Sequence, residues 1–416
     1  MDIISIIGPN QLKGSVKISG AKNAVLPLMT ACIIHPGNYK INNVPMLKDT
    51  LTMCKLLEMV GAKVKIINDS VLIDTKNCNS PLAPYELVKT MRASFYVLGP
   101  FMARFGEAQV SLPGGCAWGP RPVDFHIKAL EKMGAQINLD GGYINAKGKL
   151  KGADITFAKS SVGATGNVLM AAIKAKGTTR IFNSAKEPEI DCLIEFLNLM
   201  GGNIIRDKNE DIIIKGVLDL KDNIEIDVIP DRIEAGTFMI AAAITKGNIT
   251  LTNVNPNHLE IVIDKLRACG CVIEISNNTL NIKMFKKPIS NDMVTDIYPG
   301  FPTDLQAQWM ALMCLAKGVS KVIDNIYIDR FTHVAELIRL GAKIELEKNI
   351  AKVSGVDYLS AAEVMSTDIR ASASLVLSGL IAKGNTKISR VYHIDRGYER
   401  IEEKFKKLNA DINRLK

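Results

Sequence analysis

One cysteine of this chain lies in a setting that suits proton transfer or nucleophilic attack. Cys116 follows a pair of glycines within residues 111–126, which read SLPGGCAWGPRPVDFH. Glycines give the backbone of a loop unusual freedom, while the nearby prolines stiffen its flanks. Arg121 lies close in sequence, and a guanidinium favours the thiolate, which is the reactive form of cysteine. The segment predicts a movable loop with a catalytic thiol, although a lone cysteine is more commonly a small buried hydrophobic residue.

Length and composition favour a globular protein of about two domains. The chain has 416 residues, enough to bury a substantial core. Hydrophobic residues make up 47% and charged residues 23%, and no uninterrupted apolar run reaches the length that spans a bilayer. Residues 1–7 show neither a basic leader nor a cleavage signal, so we expect a cytosolic protein without membrane attachment.

The cysteines and the net charge exclude some classes of site. Eight cysteines are scattered along the chain, and a reducing cytosol favours free thiols. Cys269 and Cys271 have no second pair at zinc spacing, so packing in a strand explains them better than a metal. The net charge of +9 is spread out rather than massed in a stripe or tail. We expect small anionic substrates, no metal and no nucleic acid, although solvated surface lysines would give the same total charge.

A unit of about 70 residues recurs along the chain and sets its organisation. In each of six copies a helical pattern ends at a small residue before a strand pattern. The residues at these corners, which suit a left-handed helix end, are Gly61, Gly134, Gly201, Gly270, Gly341 and Asn409. A second series follows an apolar helical run and precedes a strand, namely Gly37, Gly106, Gly177, Gly247, Gly318 and Gly384. Six such units, each with an apolar and an amphipathic helix, predict two similar domains.

The starts of the six apolar helices are suited to anions. They fall near residues 21–23, 91–92, 162–165, 231–232, 303–304 and 368–370. Helix N-termini present free N–H groups and a positive dipole end to phosphate or carboxylate. Lys22, Arg92 and Arg370 add full positive charges. We expect these starts to face one cleft, although ordinary caps and salt-bridge arginines explain each position taken singly.

Several segments together resemble the enolpyruvyl transferases that act on UDP-N-acetylglucosamine, over essentially the whole chain. These segments are residues 19–24 (SGAKNA), 112–116 (LPGGC), 121–124 (RPVD), 161–165 (SVGAT), 185–189 (AKEPE), 231–236 (DRIEAG), 298–304 (YPGFPTD), 368–374 (DIRASAS) and 393–399 (HIDRGYE). The resemblance implies an α/β fold of two inside-out α/β barrel domains, each of three repeats, with the active site in the interdomain cleft.

The resemblance also implies where the domains divide. The chain would cross between them near residues 20 and 229. Residues 1–20 and 230–416 would form a discontinuous domain that carries Asp304, Arg370 and Arg396. Residues 21–229 would form the other domain, with the Cys116 loop and the nucleotide-sugar contacts.

Enolpyruvyl transferases of this kind move the enolpyruvyl group of phosphoenolpyruvate to the 3-hydroxyl of UDP-N-acetylglucosamine and release phosphate, which commits the sugar to peptidoglycan. The addition and elimination need a proton for the methylene carbon, a base for the hydroxyl and cations for phosphate and carboxylate. By the resemblance, Cys116 donates the proton, adds covalently to phosphoenolpyruvate and is alkylated by fosfomycin. Lys22, Arg121 and Arg396 contact phosphate, and Arg92 is a further cation of the site. We expect no cofactor.

The remaining site residues meet the sugar and the nucleotide. Asn23 and Asp304 match sugar-binding residues, and Asp304 is either the base or a positioning group, because a helix start lowers the pKa of a carboxyl. The implied nucleotide contacts are Arg121, Pro122, Val123, Asp124, Phe125, Lys159, Ser160, Ser161, Val162, Gly163 and Ile326. Arg330, Asp368 and Arg370 are implied from the other domain, as substrate contacts or as a domain-closing salt link. For Arg396 the alternative is a pair with Asp395 or Glu399.

Two other functions stay open at this stage. A 5-enolpyruvylshikimate-3-phosphate synthase would share the fold but lacks this cysteine loop, so Cys116 and the RPVD run count against it. A catalytically silent relative would have no chemical need to keep Lys22, Cys116, Asp304 and Arg396. Departures from the family pattern are Trp118, Pro120 and Phe125, and the oligomeric state is open.

Overall fold

A computed structural model of the chain describes residues 2–112 and 123–416, with Arg92 described by its backbone alone. The predicted site residues Cys116, Arg121 and Pro122 therefore lie outside the described residues, as does the rest of their loop. Within the described ranges the chain is a succession of short helices and strands. None of the described helices is both long enough and apolar enough to cross a membrane.

The described residues form 13 α-helices. In chain order, α1 to α13 are Lys22–Ala31, Lys48–Val60, Tyr85–Val88, Leu98–Phe105, Asp124–Lys132, Val162–Ala172, Pro188–Leu199, Arg232–Ile244, Glu260–Ala268, Gln306–Met313, His333–Arg339, Ile369–Ile381 and Ile401–Lys406. Short 3₁₀ turns occupy Cys32–Ile34, Arg92–Val97, Pro256–His258, Thr303–Leu305 and Val391–Arg396. Two of these turns directly precede apolar helices, so α4 and α10 start a few residues later than their sequence patterns predict.

Strands account for most of the other regular structure. In the described ranges β1 to β24 are Ile3–Gly8, Lys13–Lys17, Asn38–Asn42, Lys63–Ile67, Ser70–Asp74, Leu82–Ala83, Glu107–Ser111, Gln136–Asp140, Tyr143–Lys147, Asp154–Thr156, Thr178–Phe182, Asn203–Arg206, Ile212–Lys215, Ile224–Asp227, Asn248–Thr252, Val272–Ser276, Thr279–Lys283, Met293–Thr295, Val319–Asp324, Lys343–Glu347, Ile350–Ser354, Glu363–Met365, Gly384–Ser389 and Ile412–Leu415.

The chain divides into two compact units. The discontinuous unit comprises residues 1–19 and 230–416, and the continuous unit comprises residues 20–229. Among the described residues each unit contains three four-stranded sheets. The sheets of the continuous unit are β14-β3-β5-β4, β6-β7-β9-β8 and β10-β11-β13-β12, and those of the discontinuous unit are β16-β17-β15-β2, β18-β19-β21-β20 and β22-β23-β1-β24.

All six sheets repeat one strand pattern. In each, a short edge strand runs parallel to its neighbour and the other two pairs are antiparallel, as where β2 is parallel to β15 and β15 is antiparallel to β17. Segments distant in sequence close both units, because β14 joins β3 and β1 lies between β23 and β24. The six similar sheets therefore correspond to the six copies of the sequence repeat.

The apolar helices form the interior of each unit. In the discontinuous unit, α8 is buried from Ile233 to Ile244, α10 throughout, and α12 from Arg370 to Ile381. A helix that is apolar on all sides must be surrounded by protein, and here the strands supply the cover by turning alternate residues inward. The fold class is thus confirmed as α/β with buried helices and surrounding small sheets.

The corner residues adopt the left-handed conformation predicted for them. The six corners have φ between 67° and 106°, with the smallest value at Asn409. At these positions a side chain strains the backbone, and asparagine tolerates the strain better than most residues. In the second glycine series, five of the glycines directly precede a strand and Gly384 is itself the first residue of β23.

Gly341→Ala should destabilise the protein by about 1–2 kcal/mol through backbone strain alone. Gly341 has a φ of 91°, and the nearest atom to an added Cβ would be Ser360 N at 3.9 Å, so no clash arises. Urea unfolding would measure the loss. Asn409→Gly is the matched control and should lose no stability at its corner, so an unchanged midpoint for Gly341→Ala would contradict the strain argument.

Candidate active site

An acid held between two arginines is the centre of the candidate site in the discontinuous unit. Asp304 lies in the 3₁₀ turn ahead of α10, and its Oδ1 is 2.8 Å from Arg330 Nη2 while its Oδ2 is 2.9 Å from Arg370 Nη2. The arginine side chains are 9% and 5% exposed, whereas the carboxylate is 25% exposed. The structure therefore brings three predicted residues together and leaves the acid as the accessible member.

The two guanidiniums determine the protonation state of Asp304. Burial by itself would raise the pKa of this carboxyl, but the charges and hydrogen bonds of Arg370 and Arg330 hold it well below its usual range. The same pairing keeps the pKa of Arg370 above its ordinary value, although burial opposes this. The sequence-based expectation of a low pKa at Asp304 is right in direction, but the cause is the pair of arginines rather than the helix start. Asp304 is ionised at neutral pH and is a weak base.

One nitrogen of the Arg370 guanidinium takes no part in the contact with Asp304. This nitrogen, Nη1, is buried and has no hydrogen-bond partner among the described residues. The guanidinium also lies over the ring of Tyr398, with Cζ 5.5 Å from the ring centroid. A buried donor without an acceptor is costly, so a bound hydroxyl, carbonyl or anion would stabilise it.

Asp368 has a structural task at the start of α12. Its Oδ1 accepts hydrogen bonds from the backbone N–H groups of Arg370 at 2.8 Å and Ala371 at 3.2 Å. This is an N-cap, which fixes the first turn of the helix and so places the Arg370 side chain. The sequence left two roles open for Asp368, a substrate contact and a domain-closing salt link. The N-cap is a third role, and both of the others stay predictions.

A buried polar network beneath Asp304 escaped the sequence analysis. Gln308 Nε2 donates to the backbone carbonyl of Asp304 at 3.0 Å and to Tyr398 Oη at 3.1 Å. Tyr398 Oη is also 2.8 Å from Thr237 Oγ1. The three side chains come from α8, α10 and the segment after Arg396, so they join all three repeats of the unit. Gln308 is four residues after Asp304, a spacing that could have suggested the contact.

Arg396 and Ile326 complete the predicted residues of this unit. Arg396 ends the 3₁₀ turn Val391–Arg396 and is half-buried. Asp395, an alternative partner for it, pairs with Arg414, whose Nη2 lies 2.6 Å from Asp395 Oδ1. Ile326 is half-buried and its backbone N–H donates to Asp324 Oδ1 at 3.0 Å. The contact of Arg396 with phosphate stays a prediction.

In the continuous unit, Lys22 is the first residue of α1 and points to a buried acid. Its Nζ is 2.6 Å from Asp49 Oδ2, with the two side chains 11% and 4% exposed. Such a pair lets a cation remain inside the protein, where an isolated charge would be expensive. Asp49, in α2, was missed by the sequence analysis. Asn23 differs from the rest of α1 because it is exposed, as a sugar contact must be.

The predicted nucleotide contacts lie at the starts of α5 and α6. Ser161 caps α6 by accepting the N–H of Ala164 at 3.3 Å. Asp124 begins α5, and its Oδ1 is buried without a hydrogen-bond partner in the described ranges. Phe125 packs on Phe157, with ring centroids 6.0 Å apart.

Other side chains at these two helix starts are more open. Lys159 is exposed, while Ser160, Val162, Gly163 and Val123 are half-buried. The side chain of Arg92 is outside the described part of the structure, as are Cys116, Arg121 and Pro122. The described nucleotide contacts are thus close to the surface, and their binding roles stay predictions.

The described cysteines are unreactive by position. Cys32, Cys54, Cys78, Cys192, Cys269, Cys271 and Cys314 are all buried. Burial raises the pKa of each thiol, to about 11 for Cys54 and about 12 for Cys192, Cys269, Cys271 and Cys314. Cys271 Sγ lies 3.9 Å from Met284 Sδ, in agreement with the packing role expected for it.

Comparison with known proteins identifies the family. A UDP-N-acetylglucosamine 1-carboxyvinyltransferase of Chlorobium luteolum is 50% identical over 420 residues, which cover 100% of this chain and 99% of the relative. The enzyme of that name from Hydrogenovibrio crunogenus is 50% identical over 417 residues and covers 100% of both chains. The chain belongs to the UDP-N-acetylglucosamine 1-carboxyvinyltransferase family. The resemblance found in the sequence is thereby confirmed.

Wider comparisons place this carboxyvinyltransferase family within a larger group. The family model described as EPSP synthase (3-phosphoshikimate 1-carboxyvinyltransferase) matches residues 6–405. The enolpyruvyl transferase NikO of Streptomyces tendae has a TM-score of 0.90 at 22% identity, covering 100% of this chain and 99% of NikO. An EPSP synthase of Acinetobacter baumannii has a TM-score of 0.76 at 19% identity and covers 100% of both chains. These structures support the two-unit fold of the carboxyvinyltransferases.

Asp304→Asn should lower kcat/KM by about 100-fold, because the change leaves Arg330 and Arg370 without their countercharge. The loss should be constant from about pH 5 to about pH 9, since the depressed pKa keeps the native carboxyl ionised over that range. Steady-state rates at several pH values would measure it. A loss that shrinks towards low pH would show instead that Asp304 titrates there, and the depressed pKa would be wrong.

Proposed function

We propose that the chain transfers the enolpyruvyl group of phosphoenolpyruvate to the 3-hydroxyl of UDP-N-acetylglucosamine and releases phosphate. The observation that carries this proposal is the partly exposed Asp304 carboxylate fixed by two nearly buried guanidiniums, of which Arg370 has a buried Nη1 without a hydrogen-bond partner among the described residues. Such a carboxylate accepts a hydrogen bond from a sugar hydroxyl, while Arg370 Nη1 donates to an oxygen of the substrate. The relatives at 50% identity carry the name of this activity.

In this scheme Asp304 first positions the 3-hydroxyl of the sugar and later accepts the proton of that hydroxyl. Its depressed pKa makes it a poor base towards a free alcohol. The hydroxyl becomes much more acidic as its oxygen bonds to the central carbon of phosphoenolpyruvate, so proton transfer to Asp304 belongs late in that step. Arg330 and Arg370 hold the carboxylate in place meanwhile.

The remaining roles follow the predicted residues. Cys116 delivers the proton to the methylene carbon, and Lys22, Arg121 and Arg396 balance the charge of phosphate as it leaves. The support for Lys22 is its burial against Asp49, which holds the ammonium in one orientation. Arg92 supplies a further positive charge beside phosphoenolpyruvate.

The nucleotide half of the acceptor lies, in this proposal, at the starts of α5 and α6. Asp124 Oδ1, which has no hydrogen-bond partner in the described ranges, suits an N–H of the uracil ring, and Phe125 offers an apolar surface beside it. The start of α6 and Lys159 suit the diphosphate. Asn23 and Asp368 are assigned to the sugar side, and Ile326 to the nucleotide side. The reaction would take place in the cytosol and commit its product to peptidoglycan.

Phosphate release from phosphoenolpyruvate tests the assignment, with UDP-N-acetylglucosamine and shikimate 3-phosphate as parallel acceptors. Release with the nucleotide sugar alone is expected. Release with the shikimate ester alone would make the acceptor assignment wrong. Release with neither would favour a silent relative, provided that the thermal unfolding of the same sample is cooperative.

Fosfomycin should label one thiol per native chain, at Cys116, because the seven described cysteines are buried and have raised pKa values. Intact-mass spectrometry would count the adducts. Cys116→Ser should take up none, and Cys116→Asp should resist fosfomycin while it retains turnover if proton delivery is the essential role. Labelling of any other cysteine in the native protein would contradict the burial of those thiols.

A further inference from the structure

Asp324 is a fully buried carboxylate that none of the roles above uses. It ends β19, is 0% exposed, and accepts hydrogen bonds at both oxygens. Oδ1 receives the hydroxyl of Thr295 at 2.8 Å and the backbone N–H groups of Ile326 at 3.0 Å and Tyr327 at 2.8 Å. Oδ2 receives the hydroxyl of Thr303 at 2.7 Å. A buried charge is expensive unless donors surround it, and here four donors do so.

Thr303 connects this carboxylate to the candidate site. Its Oγ1 accepts Arg330 Nη1 at 3.0 Å, and Arg330 Nη2 lies 2.8 Å from Asp304 Oδ1. A guanidinium can only donate and an ionised carboxylate can only accept. The Thr303 hydroxyl must therefore point its hydrogen at Asp324 and its lone pair at Arg330. The direction of each bond from Asp324 to Asp304 is fixed by chemistry.

The other repeats show that this residue departs from the structural pattern. Counted from the glycine before each strand, the positions equivalent to Asp324 include Asn43, Asn183 and Asn253, with φ between 53° and 54°. Each of these asparagines donates its side-chain amide to a backbone carbonyl just after the parallel edge strand, at 2.7 to 2.8 Å. A carboxylate cannot make that bond, and Asp324 is not among the residues with positive φ.

We propose that Asp324 is a positioning residue for the acceptor site. Through Thr303 it orients Arg330 on Asp304, and through two backbone N–H groups it holds the turn that carries Ile326. This proposal rests on the proposed function, because it assigns Arg330, Asp304 and Ile326 to the nucleotide sugar. It adds a role for a residue that would not touch substrate.

Asp324→Asn separates the two parts of this role. The amide oxygen can keep the bonds to the Ile326 and Tyr327 N–H groups, while its Nδ2 faces Thr303 and presents a donor where an acceptor is needed. Thr303 Oγ1 would then meet donors on both sides and hold Arg330 less firmly. We expect kcat/KM for UDP-N-acetylglucosamine to fall by about tenfold, with KM for phosphoenolpyruvate changed by less than about twofold.

Thr303 variants test the same connection from its other end. Thr303→Val removes the hydroxyl with little change of shape and should match Asp324→Asn, whereas Thr303→Ser keeps the hydroxyl and should behave as the native protein does. The double variant of Asp324→Asn with Thr303→Val should be no worse than either single variant, because both break one connection. Should Asp324→Asn fail to fold, the valine and serine variants still decide the question.

Asp207→Asn is the matched control. Asp207 also accepts two backbone N–H groups, of Asn209 at 2.8 Å and Asp211 at 3.0 Å, but belongs to a turn between β12 and β13 outside the candidate site. The kcat/KM of Asp207→Asn for UDP-N-acetylglucosamine should equal that of the native protein. Unaltered kinetics in Asp324→Asn, or losses that add up in the double variant, would overturn the positioning role while the proposed function stands. A folded native protein without transferase activity would instead overturn the proposed function and this role with it.

Discussion

Burial of apolar helices on all sides is the constraint on which the rest of this structure depends. Helices such as α8 and α12 have no polar face, so sheets must surround them, and three four-stranded sheets do so in each unit. Their ends then become the places where polar groups can reach solvent or ligand. Lys22, Asp304 and Arg370 all lie within the first turns of buried helices or the 3₁₀ turn ahead of one. In each unit, the packing of the buried helices therefore determines where these charged side chains lie.

Charge balance then determines what those helix ends can do. Asp304 meets two guanidiniums, which leaves a positive excess at a partly exposed position and keeps the acid ionised. Lys22 meets one carboxylate inside the protein. In both cases the opposite charge holds a side chain in a single orientation, and the desolvation cost makes removal of either partner severe. In each unit an acid therefore fixes the orientation of its neighbouring cations.

Local patterns allowed much of the fold to be predicted from the sequence. The corner residues and the helix starts depend on φ preference and hydrophobic period, which act within a few residues. The structure has the corners and four of the six apolar helix starts where expected, whereas α4 and α10 begin later, after 3₁₀ turns. Asp49, Gln308 and Asp324 were missed because their importance comes from partners brought close by packing. Asp49 resembles an ordinary acid in the first turn of α2, and Asp324 resembles the end of any strand. The low pKa of Asp304 was anticipated for the wrong reason, since Arg330 and Arg370 are distant from it along the chain.

The placement of β1 affects how the chain can fold during synthesis. β1 pairs with β23 and β24, so this strand is synthesised long before residues 384–415, which it needs before its sheet can form. The continuous unit has no such dependence, because β14 supplies its closing strand by residue 227. It can fold while the remainder is still being translated, with the N-terminal segment left unpaired until the end. The order of assembly is thus determined by the connectivity, because β1 precedes the other described strands of its unit in the chain but pairs with two of the last to be made.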